Sequence, residues 1–327
     1  MTTWNAESIL TTARCYWECR VLLSAAELDL FARLKDEPRT AAELAQSMHV
    51  TSRGLTILLD AVTAMGLLAK RDGQYSCPPD IAMLLAGSDP GSVLPMVLHS
   101  AFQWKKWTDL TEIVRGTANP ARHPRSSASL KAFIEAMDVV STPRAVAAVQ
   151  AVQPGSAKRM IDVGGGPGTY TGAFLRACPE MTATLFDQPD VIEIARERLT
   201  AAGLLDRVTL VGGNFEVDDL PTGHDFAWVS AIIHQNSRAE NVELYKKVHH
   251  SLNPGGRIVV RDHVMENERT HPRAGAVFAI NMLVSTEGGD CYTYDEIRDD
   301  LAAAGFERIT LLSSDEQMNG LIEAFKP

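Results

Sequence analysis

Four glycines fall within five residues in "IDVGGGPGTY": Gly164, Gly165, Gly166 and Gly168. They follow an apolar run ending in the acid Asp162 and precede a helix-like stretch. Glycines this dense let a backbone approach something closely. Neither phosphate fingerprint fits. Thr169 stands where G-x-G-x-x-G needs its last glycine, and no Gly-Lys-Ser/Thr follows. The next acid at a strand end is Asp187, in "TATLFDQ". A carboxylate there can accept both hydroxyls of a ribose, which suits any adenosine-containing cofactor, NAD included. A tight strand-to-helix turn would also account for the glycines alone. His234 closes a later apolar run, "SAIIH", and Asp262 and His263 close the next, "VVRDHV". The carboxyl ends of parallel strands are where such sheets bind ligands.

The elements that must position these residues alternate from 158 onward. "RMIDVG", "TATLFDQ", "RVTLVGG", "FAWVSAII" and "RIVVRDHV" read as strands at βαβ spacing, which implies a parallel sheet. "FERITLLSS" and "GLIEAFK" are separated by a short polar stretch and should pair antiparallel at one edge. Residues 90–153 read as mostly helical, broken at Pro120 and Pro124. Residues 5–35 read as amphipathic helix. "PRTAAELAQ" offers a capping box, Thr40 with Glu43. A second helix starts near Ser52, and "GLLAKRDGQYSC" reads as strand, Asp-Gly turn and strand. Helix, turn, helix, hairpin is a winged-helix pattern. Residues 37–72 carry four basic and four acidic side chains, and "SRGLTILLDAVTAM" has little polar reach. That favours a structural or dimerisation module over a DNA reader.

Taken in order, "IDVGGGPGTY", "LFDQP", "RVTLVGGNF", "AIIHQNSRAENVELYKKVHHSLNPGGRIVVRD" and "EGGDCYTYDEIRDDLAAAGF" resemble the S-adenosylmethionine-dependent small-molecule O-methyltransferases of plants and bacteria. These include caffeate, hydroxyindole and polyketide-tailoring enzymes. The resemblance implies an α/β fold: a Rossmann-like seven-stranded sheet with an antiparallel C-terminal edge, plus a helical N-terminal winged-helix dimerisation domain. The expected divisions are 1–100 for dimerisation, 101–153 for helices contributing to the substrate pocket, and 154–327 for the catalytic domain. By the same resemblance, Asp162, Gly164, Gly166 and Gly168 pack against S-adenosylmethionine and Asp187 holds its ribose. Gly213, Asn214 and Phe215 lie along its adenine, and Ser230 adds a polar contact. His234 is the general base on a hydroxyl acceptor, with Asp262 beside it. An imidazole suits that task because its ordinary pKa of about 6.5 leaves it mostly neutral near pH 7. Phe133, Met137, Phe278, Asn281, Met282 and Cys291 are the substrate-pocket candidates, with Trp104 and Trp107 as possible aromatic wall; ordinary core packing competes for each.

The chain departs from the family pattern in three places. Gln235 replaces an Asp after the histidine. Asn214 replaces the Asp of a "GDF" loop. Cys291, in "GGDCYT", stands where "GG-x-E-R-T" supplies a second acid. Losing that acid keeps carbon or nitrogen methylation, or non-methylating use of the cofactor, open as alternatives. A winged-helix regulator with a vestigial enzyme domain is the alternative of another class.

The 327 residues carry a net charge of −10, which argues against a broad nucleic-acid or anionic-membrane surface. Five cysteines, at 15, 19, 77, 178 and 291, follow no disulfide framework. Cys15 and Cys19 read as packing residues, because two ligands make a poor metal site. His249 and His250 read as surface residues. No signal peptide or membrane span is apparent. The expectation is a cytoplasmic homodimer that binds a small molecule and no metal.

Overall fold

In a computed structural model, which describes residues 4–87, 89, 91–120 and 127–327, the chain divides into two units, Met1–Lys105 and Lys106–Pro327. The first opens with α1 (Ala6–Arg14), α2 (Tyr16–Glu27) and α3 (Leu30–Arg33). The one helix expected over 5–35 is therefore broken, at Cys15 and again at Leu28–Asp29. Asp29 takes the left-handed φ of 56° there, which no helix continues through. β1 (Arg39–Thr40), α4 (Ala41–Met48), α5 (Ser52–Ala64), β2 (Ala69–Arg71) and β3 (Gln74–Ser76) follow.

Thr40 and Glu43 close the expected capping box at the start of α4. Asp72 and Gly73 both have positive φ, the backbone a two-residue hairpin turn requires. The three strands form one sheet in the order β1-β3-β2. Leu30, Phe31, Leu44, Leu59 and Tyr75 are sealed beneath it. α6 (Pro79–Leu85) and α7 (Leu94–Trp107) complete this part of the chain. Cys15 and Cys19 are exposed in this unit, not packed. Ile9, Leu10, Tyr16 and Trp17 on α1 and α2 are each more than half exposed.

The second unit begins with α8 (Leu110–Val114) and the long α9 (Ser127–Val152). Pro124 lies outside the described residues. Seven strands follow: β4 (Arg159–Val163), β5 (Thr182–Asp187), β6 (Val208–Gly212), β7 (His224–Ser230), β8 (Leu252–Asp262), β9 (Glu307–Ser313) and β10 (Gly320–Phe325). Their order is β6-β5-β4-β7-β8-β10-β9. The first five are parallel, and β10 runs antiparallel to both β8 and β9. The short stretch between β9 and β10 can only turn back, whereas parallel neighbours need a crossover helix.

The crossover helices are α10 (Thr169–Ala177), α11 (Pro189–Ala201) and α12 (Arg238–Ser251), and α13 (Arg273–Leu283) and α14 (Tyr294–Ala303) lead from β8 to β9. Both faces of the sheet are covered, so its central strands are apolar nearly throughout. Ile161, Val163, Val229 and Val260 face one core; Met160, Phe226, Trp228 and Val259 face the other. Each such side chain contributes roughly 2 kcal/mol relative to exposure. The sheet is thus a rigid base from which the loops at its carboxyl edge project.

Candidate active site

The glycine turn leaves β4 under tight constraint. Gly164 N–H donates to the Phe186 carbonyl (2.8 Å), and Gly168 N–H donates to the Gly165 carbonyl (3.0 Å). Gly164, Gly166 and Gly168 have φ of 67°, 55° and 80°, a region that glycine enters without steric cost. A Cβ at Gly164 would stand 2.4 Å from Ile232, and one at Gly168 would stand 3.2 Å from Leu199. At Gly166 it would meet nothing within 4 Å, so this glycine borders open space.

Asp187 closes β5 beside it. Its Oδ2 accepts from Gly166 N–H (2.8 Å) and its Oδ1 from Gln188 N–H (2.7 Å). Burial lifts this carboxyl above the ordinary range, and the two N–H groups oppose that lift. Asp162 is buried and accepts from the Thr171 hydroxyl (2.6 Å), bracing α10 below the loop. Burial pushes its carboxyl up to about 7. In the 213–218 loop, Asn214 Oδ1 accepts from Glu216 N–H (3.0 Å), and Asn214 N–H donates to Asp218 Oδ2 (2.8 Å). The Asn214 amide therefore folds its own turn. Phe215 packs partly buried against the core, and a Cβ at Gly213 would press into the Phe186 ring at 2.6 Å.

His234 sits on a short 3-10 turn, Ile233–Gln235, just past the end of β7. Ala231, before it, has a φ of 58°. A side chain in that region costs energy that the surroundings must supply, which is common at functional sites. The surroundings here are specific. Ala231 N–H donates to the Arg261 carbonyl (2.8 Å), Gln235 Nε2–H to the Ala231 carbonyl (3.2 Å), and Asn241 Nδ2–H to the Ile233 carbonyl (3.0 Å). The Tyr292 hydroxyl donates to the Asn236 carbonyl.

The imidazole itself is held by β8. His234 Nδ1 lies 2.9 Å from both oxygens of Asp262, and both residues are buried. A carboxylate at Nδ1 places the ring proton there and leaves the lone pair on Nε2. The hydrogen bonds of the imidazole to described residues all run through Nδ1. The site therefore offers an oriented base.

The remaining candidates are placed as follows. Phe278 on α13 stands edge-on to His234, ring centroids 5.0 Å apart. Asn281, a turn later, accepts from Trp107 Nε1–H (3.1 Å). Met282 is buried. Phe133 and Met137 lie half-buried one turn apart on α9. Ser230 Oγ accepts from the buried Arg261 guanidinium (3.3 Å). Cys291 is buried, and burial with the nearby Asp262 charge keeps its thiol strongly protonated. It cannot replace a carboxylate electrostatically. His249 is only half-exposed, edge-on to Phe306, while His250 is exposed.

Residues 109–307 match the O-methyltransferase domain, and residues 10–80 match the O-methyltransferase dimerisation domain. The chain belongs to the O-methyltransferase family. It is an S-adenosylmethionine-dependent methyltransferase. It is 30% identical to 3-hydroxy-5-methyl-1-naphthoate 3-O-methyltransferase of Streptomyces sahachiroi, over 95% of this chain and 92% of that one. It is 26% identical to L-tyrosine C(3)-methyltransferase of Streptomyces lavendulae, over 87% and 82%. The fold matches the structure of PigF with SAH at a TM-score of 0.87, with 24% identity over 99% of this chain and 100% of that one.

The O-methyltransferase fold is held here by residues that sequence reading missed. Lys247 Nζ donates to the carbonyls of Phe215 (2.8 Å), Glu216 (3.0 Å) and Asp218 (3.0 Å), tying down the 214–218 loop. Asp138 on α9 accepts from the Thr169 hydroxyl (2.5 Å) and pairs with Arg198, linking three helices at the glycine turn. Arg269 pairs with Asp290 and Glu296 and donates to the Cys291 carbonyl (2.9 Å), fixing the "GGDCYT" segment. Only the spacing of Glu296 from Thr293, a capping box, was a usable signal for any of these.

Proposed function

We propose that this enzyme transfers a methyl group from S-adenosylmethionine to a hydroxyl of a small aromatic or polyketide-like metabolite, with His234 as general base and Asp262 orienting it. The observation that carries the reading is the His234–Asp262 pair: Nδ1 is held by both carboxylate oxygens, which leaves the lone pair on Nε2. The similarity to a naphthoate O-methyltransferase supports an aromatic acceptor.

The residues present fit the cofactor. Gly166 borders open space. Each Asp187 oxygen uses one lone pair on a backbone N–H and keeps another for a ribose hydroxyl. Asn214 Oδ1 likewise keeps one for an adenine amino group. When bound, S-adenosylmethionine supplies an electrophilic methyl on a sulfonium. His234 Nε2 would take the proton of the acceptor hydroxyl that this methyl would alkylate. Asp262 stabilises the imidazolium that results. Alignment of oxygen and methyl supplies much of the rate.

The exposed apolar side chains of α1 and α2 support a homodimer. Five unpaired cysteines support a cytoplasmic setting. No helix among the described residues is long and apolar enough to cross a membrane.

Methylation at carbon is a second reading, favoured by the neutral thiol of Cys291 at the second-acid position and by the similarity to a tyrosine C-methyltransferase. Turnover with methyl-labelled cofactor, followed by mass spectrometry and NMR of the product, separates the two. A label on oxygen supports the proposal. A label on ring carbon replaces it with the second reading.

A further inference from the structure

A second buried imidazole stands beside His234 without a task in the reaction above. His263 is 5% exposed, and its backbone N–H donates to Asp262 Oδ1 (2.8 Å), the same carboxyl that holds His234. The two imidazoles pack against one phenyl ring. Each ring centroid is 5.0 Å from that of Phe278, so the imidazoles lie within twice that distance of each other.

Their nitrogens are used in opposite ways. His263 Nδ1 is sealed and has no partner among the described residues. It faces α13 where a side chain at Gly275 would come within 3.5 Å. An N–H buried with no acceptor costs its full desolvation, so the ring proton is assigned to Nε2. Burial first, then the nearby His234 and Arg261, disfavour charging the ring; Asp262 and Asp315 oppose them, and the ring's pKa stays lowered. His234 is the mirror case, with its proton on Nδ1 and its lone pair on Nε2. The site therefore presents a base and a neutral donor that both pack against Phe278.

We infer that His263 binds the acceptor: its Nε2–H donates to a second oxygen of the substrate while the hydroxyl to be methylated meets His234 Nε2. The inference rests on the methyl-transfer reading above. It names the acceptor class as a hydroxyarene with a second oxygen acceptor (carbonyl, carboxylate or hydroxyl) on the same ring system. It also gives the site a discriminating contact that does not depend on the acid missing at Cys291.

The test compares 3-hydroxy-2-naphthoate, which carries the second oxygen function, with 2-naphthol, which lacks it. Wild type, His263→Phe and His263→Gln are used, each as the full chain. Binding to the protein loaded with S-adenosylhomocysteine is read by fluorescence, and kcat/KM by product formation. In wild type the naphthoate should be preferred. His263→Phe should lower its affinity and its kcat/KM about tenfold or more, the effect of one lost hydrogen bond to a charged group, and affect 2-naphthol much less. His263→Gln, which offers an N–H at a similar reach, should restore most of the difference. Equal losses for both probes, an unchanged preference in His263→Phe, or no binding of the naphthoate to wild type would each overturn the inference. Binding that depends on His263 without turnover of either probe would instead refute the methyl-transfer reading and leave the binding role standing.

Discussion

Alanine at position 289 would put its Cβ 2.3 Å from the His234 carbonyl oxygen and 3.0 Å from the Gln235 carbonyl carbon. Ordinary contact begins near 3.4 Å, so the gap between the two segments must open by about 1 Å. Thr286 Oγ1, 2.6 Å away, belongs to a side chain that can rotate. The His234 carbonyl cannot move without its turn, which Asn241 and Tyr292 also hold. Overpacking of this kind costs about 1–3 kcal/mol of stability. A base displaced by about 1 Å costs on the order of a hundredfold in turnover. The atoms nearest to a Cβ at Gly289 belong to His234, Gln235 and Thr286 and not to the glycine turn or Asp187, so cofactor affinity should be unchanged. The assay is kcat with an aromatic acceptor at saturating cofactor, with calorimetric affinity for S-adenosylhomocysteine and a urea melt on the same preparation. Near wild-type kcat in a measurably destabilised Gly289→Ala protein would refute the claim that this contact sets the base.

Further expectations concern other parts of the site. Asp162 is protonated to a higher pH folded than unfolded, since burial lifts it to about 7 from an unfolded value near 3.9. Its contribution is full at low pH and declines as pH rises through that window, by about 4 kcal/mol at most. Chemical melts from pH 5 to 8 should therefore show wild type losing stability relative to Asp162→Asn; parallel curves would refute this. Lys247→Met removes three charge-assisted bonds to the 214–218 loop and should weaken S-adenosylhomocysteine binding about tenfold by calorimetry, with kcat at saturation preserved. An unchanged affinity would mean that the loop holds itself. Asp262→Asn removes the carboxylate that fixes the His234 tautomer and should lower kcat about 10²- to 10⁴-fold, while far-UV circular dichroism stays native. A loss below threefold would detach Asp262 from the chemistry.

Much of this molecule was legible as pattern. The alternation from "RMIDVG" to "RIVVRDHV" gave five parallel strands because strands buried on both faces must be apolar throughout. The polar break before "GLIEAFK" was too short for a crossover, which fixed the antiparallel edge. Thr40 with Glu43, and Asp72 with Gly73, announced themselves because caps and hairpin turns depend on neighbours in sequence. The break at Leu28–Asp29 was not legible: amphipathic spacing continues through it, and nothing in the local residues marks the left-handed Asp29.

Within the site, His234 and Asp262 were legible as strand-end residues, but their two-oxygen contact joins positions 28 apart. The same limit hid Lys247, which reads as a surface cation in "YKKVHH" until α12 folds it back onto the 214–218 carbonyls. Asn214 was legible as a change of residue but not as a side chain closing its own turn. His263 was visible as a neighbour of Asp262; its sealed Nδ1 lies close to Gly275, twelve residues on in α13.

The most direct test of the account pairs wild type with His234→Ala. The assay is transfer of a labelled methyl from S-adenosylmethionine to a hydroxyarene at saturating concentrations, with calorimetric affinity for S-adenosylhomocysteine alongside. The account predicts labelled O-methyl product from wild type and a fall in kcat of about 10²-fold or more in the variant, with cofactor affinity intact. Undiminished O-methylation by His234→Ala, with the cofactor bound as tightly, would contradict it.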